Sequence, residues 1–290
     1  MTNLVQFPGL GLSFELDRVA FSIGGMNIYW YGVCIAVGMC LALVFAFRHS
    51  VEFGVDADAM VDVILIGVVM GILCARLYYV ALSPYQYHSL KDVLAIRDGG
   101  LAIYGGVLGA AIGVTVLCRV KRIKLPAMLD LVSLGFLIGQ SIGRWGNFFN
   151  REAYGAETDA WLRMGLYDSF TGTTVYHHPT FLYESVWNAL GFVILHFLSK
   201  KREYDGQIAL GYAFWYGLGR FFIEGLRTDS LYIPGTAIRV SQLIAAVSCL
   251  TAAAVLVYFL LKPPAKPLFA SRVLETDHVE TDDEGGNEDA

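Results

Sequence analysis

The chain has 290 residues, 56% of them hydrophobic and only 16% charged, with a mean hydropathy of +0.53 and a net charge of -5. A soluble domain carries about 25% charged residues, so an ordinary soluble globule is excluded, and without a basic excess no nucleic-acid partner is expected. Apolar runs close to the ~20 residues that cross a bilayer mark an all-α polytopic membrane protein.

The first residues, "MTNLVQFPGLGLSFELD", lack a basic start and an apolar core, so no cleavable signal peptide is expected. Seven transmembrane helices are expected at 27–47, 58–80, 99–118, 127–143, 180–198, 208–224 and 240–261. Tyr29 and Tyr31 open the first span, and Arg76 closes the second. Tyr104 lies just inside the third, where Gly105, Gly109 and Gly113 fall four apart. Gly135, Gly139 and Gly143 repeat that spacing in the fourth span, which suits close helix packing. The connection 144–179 is too polar to cross and is expected to form a small extracytoplasmic head between helices 4 and 5. His178, Tyr183 and Glu184 open the fifth span; Arg220, Glu224 and Arg227 close the sixth; Ser241 and Gln242 open the seventh.

Basic residues set the orientation. "RVKRIKL" follows the third span, "KKREYDG" the fifth, and Lys262 and Lys266 the seventh, so these three sides are cytoplasmic. The N-terminus, the head and the loop after the sixth span then face outward, and the C-terminus is cytoplasmic. The polar span ends form one ring at the outer leaflet. Residues 1–261 read as one seven-helix domain with the head as an insertion. Residues 262–290 read as a disordered acidic cytoplasmic tail, since 272–290 hold eight acids and one arginine.

"GRWGNFFNREAYG", residues 143–155, sets Arg144, Asn147, Asn150, Arg151 and Glu152 directly after an apolar run from Ala127 to Ile142. A cation inside a membrane helix costs about 2.5–3.5 kcal/mol on insertion scales, so such residues usually serve a site. Arginine matches phosphate bidentately and stays charged. Two readings stay open on the residues alone: a phospholipid headgroup site at Arg144 and Arg220, or structural ion pairs with Glu152, Glu184 and Glu224. "GQSIG" (139–143) fits a serine-nucleophile pattern, but Ser141 sits within an apolar span on a glycine-spaced face and reads as packing. The last span has no lysine for a Schiff base. Cys34, Cys40, Cys74, Cys118 and Cys249 lie in apolar runs without CxxC spacing and read as packing residues. No metal or cofactor is expected.

The order of residues in "GRWGNFFNREAYG" resembles the signature of bacterial prolipoprotein diacylglyceryl transferases at Arg144, Gly146, Asn147, Phe148, Asn150, Glu152 and Gly155. "YWYG" (29–32), "DGGLAIYGG" (98–106), "HPTFLYE" (178–184) and "GRFFIEGLR" (219–227) resemble that family's other motifs, in order, from about residue 20 to 261. The resemblance implies an enzyme of the bacterial cytoplasmic membrane. It moves the diacylglyceryl group of phosphatidylglycerol onto the lipobox cysteine thiol of a prolipoprotein signal peptide, and glycerol phosphate leaves. Its implied partners are phosphatidylglycerol, lipobox-containing precursors and membrane lipid.

By the same resemblance Arg144, Arg220 and Tyr104 are catalytic. Arg144, Tyr31, Asn147, Asn150, Glu152, His178, Tyr183, Glu224 and Arg227 bind substrate. The acceptor of the thiol proton stays open. Many relatives carry His where this chain has Tyr104, and a phenol with pKa near 10 is a poor base at neutral pH. Glu152, His178 and water are the other candidates. The alternative reading is a phospholipid carrier or flippase without chemistry, which should offer polar or hinge residues at the membrane midplane.

Overall fold

The computed structural model describes residues 4–83, 87, 89–95, 99–168, 171–264 and 268–270. In chain order its elements are strands β1 Leu4–Phe7, β2 Leu12–Glu15, β3 Val19–Ile23 and β4 Met26–Tyr29, then helices α1 Trp30–His49, α2 Ala57–Leu82, α3 Leu90–Val93, α4 Ile103–Val120 and α5 Leu125–Asn150. Strands β5 Met164–Asp168 and β6 Thr173–His177 follow, then α6 Thr180–Ser199, α7 Gln207–Leu226 and α8 Val240–Leu261. The chain divides into two compact units: residues 1–45 with 132–266, and residues 46–131 with 267–290. Most of the acidic tail, 271–290, lies outside the described residues.

Among the described residues six helices are long and apolar enough to cross a membrane: α1, α2, α4, α5, α6 and α8. The protein is a mostly helical, multi-pass membrane protein. Helix α7 has the length of a span, but Arg220, Glu224 and four glycines lower its apolarity below theirs. The first span starts at Trp30 and not at residue 27, because Met26–Tyr29 pair with Val19–Ile23 as strands.

The all-α expectation needs correction. In the first unit β1, β2, β5 and β6 form an antiparallel sheet in the order β2-β1-β5-β6. The sequence "LVQF" alternates, turning Val5 and Phe7 inward while Leu4 and Gln6 stay half-buried. Val5 and Phe7 meet Leu16, Phe148, Met164 and Phe181 in a small core. The head is therefore not the 144–179 insertion alone: it takes two strands from the N-terminal segment, and its insertion begins after Asn150. Strands β3 and β4 form a separate hairpin. Its turn, Gly24–Gly25, has φ of 57° and 81°, the left-handed region that a type I′ hairpin turn needs at both positions.

Helix α5 runs to Asn150 and not to residue 143. Its last two turns have apolar partners of their own. Phe148 stacks on Phe181 at 4.9 Å between ring centroids, and Phe149 stacks on Trp30 at 4.9 Å. The helix stops at Arg151, whose φ of 54° cannot continue it. The glycine row in α5 faces α1: a Cβ at Gly38 would fall 3.2 Å from the Gly139 carbonyl oxygen, and one at Gly135 would touch the Ala42 Cβ at 3.5 Å. The tightest approach of the two helices is at Gly146, where a Cβ would fall 2.7 Å from the Tyr31 ring.

In the second unit α2 packs along α4. Here too the glycine row does what its spacing suggests. A Cβ at Gly105 or Gly109 would come within 2.5 Å of the Cys74 and Met70 carbonyl oxygens respectively.

Candidate active site

Three helices of the first unit converge on one carboxylate. Glu184, in the second turn of α6, has a side chain only 3% exposed. Its Oε1 accepts from Arg144 Nη2 of α5 at 2.5 Å, and its Oε2 accepts from Arg220 Nη1 of α7 at 3.1 Å. Arg220 Nη2 lies 2.6 Å from Glu224 Oε2, one turn further along α7. Arg144 Nη1 donates to Asn147 Oδ1 at 3.3 Å. The two arginine side chains remain 22% and 15% exposed.

Local packing fixes this geometry. One turn deeper, Ser141 Oγ donates to the Ser185 carbonyl at 2.9 Å and Ser185 Oγ returns a bond to the Ser141 carbonyl at 2.8 Å. Ser141 therefore clamps α5 to α6. Helices α6 and α7 are locked by a reciprocal indole pair. Trp187 Nε1 donates to the Trp215 carbonyl, Trp215 Nε1 donates to the Trp187 carbonyl, both at 2.9 Å, and the rings stack at 4.3 Å. A Cβ at Gly219 would fall 2.1 Å from Trp187 Nε1, so only glycine fits beside Arg220.

The turn after α5 supports the cluster from above. Arg151 and Ala153 both hold positive φ, 54° and 56°, which costs L-residues roughly 1–2 kcal/mol each. The turn swings Glu152 back over the helix end. Asn147 Nδ2 and Asn150 Nδ2 donate to Glu152 Oε1 at 3.0 and 3.3 Å. Gly155 then marks a crowded crossing: a Cβ there would meet His178 Cβ at 2.7 Å and the Leu226 carbonyl at 2.9 Å. Its N–H donates to the His178 carbonyl, and the Ala156 N–H donates to the Leu226 carbonyl. This ties the head to the start of α6 and the end of α7.

Of the residues expected at the site, Arg144, Asn147, Asn150, Glu152, Arg220 and Glu224 thus join one network through Glu184 and the α5 terminus. His178 and Tyr183 form their own pair, Nδ1 to hydroxyl at 3.2 Å. Arg227 is engaged bidentately by Asp229, at 2.9 and 2.7 Å. Those hydrogen bonds, ahead of the partial burial that opposes them, hold the Asp229 carboxyl below its usual range. Tyr31 packs on Gly146 and lines an open groove of about 570 Å³ with Arg18, Asn27, Tyr29 and Asn150. Tyr104 belongs to the second unit, where it is exposed in the first turn of α4.

Two features escape a residue-level reading. Glu184 reads from sequence as one polar residue at a span end; its central place follows only from its burial between two arginines. Arg76 reads as another member of a polar ring. In the second unit it is 5% exposed, lies over the Tyr79 and Tyr87 rings, and gives its hydrogen bonds among the described residues to backbone carbonyls. Its Nε donates to Val93, Nη1 to Gly99 and Gly100, and Nη2 to Asp92, at 2.6–3.1 Å. The Ala102 N–H donates to the Ala75 carbonyl. Arg76 and its neighbour thereby fix the approach to α4 and to Tyr104.

The ion-pair reading of the arginines holds for two of its three carboxylates. Glu184 and Glu224 do form buried ion pairs, whereas Glu152 is held by asparagine amides. Yet each guanidinium has five N–H donors, more than the contacts with Asn147, Glu184 and Glu224 use, and both side chains keep an exposed edge. A guanidinium pair held at fixed separation by a shared carboxylate can receive an anion such as a phosphodiester without rearranging. Among the described residues no group of three His, Cys, Asp or Glu side chains could hold a metal ion.

A family model described as prolipoprotein diacylglyceryl transferase matches residues 18–258. The chain is similar to proteins named phosphatidylglycerol–prolipoprotein diacylglyceryl transferase. It is 41% identical to that of Bacillus cytotoxicus over 231 residues, 77% of this chain and 86% of the relative. It is 40% identical to that of Enterococcus faecalis over 252 residues, 84% and 90% of the two chains. It is 41% identical to that of Clostridium novyi over 242 residues, 80% and 91%.

Proposed function

The chain belongs to the prolipoprotein diacylglyceryl transferase family, and from that premise we propose how its arginine cluster serves the reaction. The protein is a transferase that moves the diacylglyceryl group of phosphatidylglycerol onto a prolipoprotein. A carrier without chemistry is set aside with that membership.

The reaction needs a thiolate and a stabilised leaving group. The lipobox cysteine sulfur attacks the glycerol carbon that carries the phosphate ester. A C–S bond forms, the C–O bond breaks, and glycerol phosphate leaves with the bonding pair on oxygen. Arg144 and Arg220 bind the headgroup phosphate and meet the charge that develops on that oxygen. Fixed donors in a water-poor site act strongly on such charge, typically 10²–10³-fold in rate per group. Glu184 holds the two guanidiniums in register without touching substrate. Asn147, Asn150 and Glu152 shape the wall at the end of α5, while Tyr31, His178, Tyr183, Glu224 and Arg227 line or brace the approach. Tyr104, on α4, offers a hydroxyl to the phosphate or to the thiol. The thiol proton passes to water, Glu152 or His178, since an ordinary phenol is a weak base.

The wider setting belongs to the same proposal. Helix α7 is the seventh crossing, with its charged end at the outer surface. The head faces outward with the N-terminus, in keeping with the basic residues at 119–124, 200–202 and 262 on the opposite side. Residues 1–261 act as one catalytic domain in the bacterial cytoplasmic membrane, and 262–290 follow as a cytoplasmic tail. The lipobox peptide enters from the signal-peptide end of a precursor.

The observation that carries this reading is Glu184, buried and shared between arginines of two different helices. The test is incubation of purified protein, in phosphatidylglycerol liposomes, with a lipobox peptide. Mass spectrometry should show the cysteine gaining a diacylglyceryl group. An unmodified peptide with folded protein would refute it.

A further inference from the structure

The β3–β4 hairpin is amphipathic across its two faces. Cross-strand partners share a face, so the pairs Phe21↔Ile28 and Ile23↔Met26 make one side wholly apolar. The other side carries the pair Ser22↔Asn27, whose side chains hydrogen-bond each other at 2.7 Å. The apolar side is uncovered: Phe21 is 51% exposed, Ile23 62% and Met26 59%. A two-stranded ribbon with such a face gains nothing from standing in water.

Its covalent neighbour decides what covers it. Strand β4 ends at Tyr29 and α1, an apolar helix able to cross the bilayer, begins at Trp30. The Trp30 N–H donates to the Arg18 carbonyl at the hairpin's other root, so both ends of the ribbon are pinned to the start of the span. A five-residue strand reaches only about 17 Å, and interfacial layers begin where the span's apolar stretch ends. The apolar side chains of the ribbon are therefore confined to the neighbourhood of the headgroup layer. Strand β4 supplies Asn27, Ile28 and Tyr29 to the groove that also holds Arg18 and Tyr31.

We propose that residues 19–29 form an interfacial anchor: the hairpin lies in the outer leaflet, Phe21, Ile23 and Met26 facing the acyl chains, Ser22 and Asn27 on the opposite side, and Asn27 and Ile28 meeting the groove at the ribbon's root. The proposal rests on the reading of α1 as a membrane span. It sets the groove floor at the depth of a phospholipid headgroup, so that lipid can reach Tyr31 by lateral movement within the leaflet.

Spin labels test it in the full chain. All five cysteines are replaced by alanine, and single labels are placed by Ile23→Cys, Met26→Cys, Ser22→Cys, Asn27→Cys and, as a control within α1, Val37→Cys. In phosphatidylglycerol nanodiscs, labels at 23, 26 and 37 should collide more with oxygen than with a water-soluble nickel chelate, and labels at 22 and 27 the reverse. Water-like behaviour at 23 and 26 with a lipid-like label at 37 would overturn the anchor alone. Water-like behaviour at 37 as well would overturn the span on which it rests. Dipolar broadening at 23 and 26 in nanodiscs holding two copies, absent with one, would assign the face to a second copy of the chain and overturn it too.

Discussion

Two arginine clusters in this protein invite comparison because their partners differ in kind. Arg76 in α2 is sealed: among the described residues its donors end on four neutral backbone carbonyls, and almost none of it meets solvent. Arg144 and Arg220 share a carboxylate and keep an exposed edge. Carbonyl acceptors absorb donors but leave the charge in place with no room for another anion, so Arg76 is a fastener for the chain entering α4. A shared carboxylate fixes two cations in register while leaving donors for a third party. The kind of partner and the exposed edge together set Arg76 apart from the pair proposed to meet substrate.

The comparison breaks first at the shared pair. Arg144→Ala or Arg220→Ala should lower diacylglyceryl transfer by about 10²–10³-fold, or about 2.7–4 kcal/mol. Lysine at either position should recover little, since a point charge cannot bridge carboxylate and phosphate as the planar fork does. Because Glu184 keeps one arginine in each single variant, both proteins should still fold; rates are to be compared only at matched thermal stability. A folded Arg220→Ala protein with near-normal turnover would reduce this cluster to the same role as Arg76.

Arg76→Ala should act through stability. It leaves up to four carbonyls without their donor, at about 1–3 kcal/mol for a buried group left unpaired, so a loss of about 3 kcal/mol is expected. Thermal unfolding in detergent reads it. The fraction that stays folded should retain an unchanged KM for phosphatidylglycerol. A raised KM at unchanged stability would make Arg76 a binding residue and erase the distinction.

How far the sequence foretells these roles depends on the range of the contacts. Apolar runs placed the long helices within a few residues, and the order of residues from Gly143 to Gly155 pointed at the family and at Arg144. The end of α5 was hidden because Arg144, Asn147 and Asn150 look like loop residues. Only the contacts of Phe148 and Phe149 with Phe181 and Trp30 show why the helix continues. The hairpin at Gly24–Gly25 carried a local signal, two alternating runs about a two-glycine turn. The pairing of Val5 with Leu166 carried none, since it joins strands more than 150 residues apart. Glu184 and Arg76 likewise declare their roles through partners that the chain brings from a distance.

A smaller effect is expected at Tyr104. Tyr104→Phe should cost about 1–3 kcal/mol, roughly 5- to 150-fold in rate, if the hydroxyl makes a hydrogen bond in the transition state. Tyr104→His should keep substantial activity. The pH–rate profiles of the three proteins with one lipobox peptide check this. Full activity and an unchanged profile in the Phe form would remove Tyr104 from the reaction and leave its unit with a supporting role only.

The smallest effect concerns the pair Arg227–Asp229, a rim counterpart of the buried cluster. The unfolded Asp229 titrates near pH 4, and Arg227 holds its folded value lower. The pair's contribution is therefore fully present above about pH 4 and is lost as pH falls through the lowered folded value. Because the Asp229 side chain is half exposed, that contribution should stay under about 1 kcal/mol. Thermal stability of wild type and Asp229→Asn should differ slightly at neutral pH and converge in acid. A gap independent of pH would show that the pair's charge is not what acts.

The most direct measurement is chemical rescue of the shared pair. Arg144→Ala and Arg220→Ala proteins in phosphatidylglycerol nanodiscs are assayed for transfer to a lipobox peptide, with and without methylguanidinium. If the guanidinium charge itself stabilises the leaving phosphate, the added cation should restore a saturable part of the lost rate in each variant and leave the wild type unchanged. Near-wild-type turnover by either folded variant without the added cation would contradict the account.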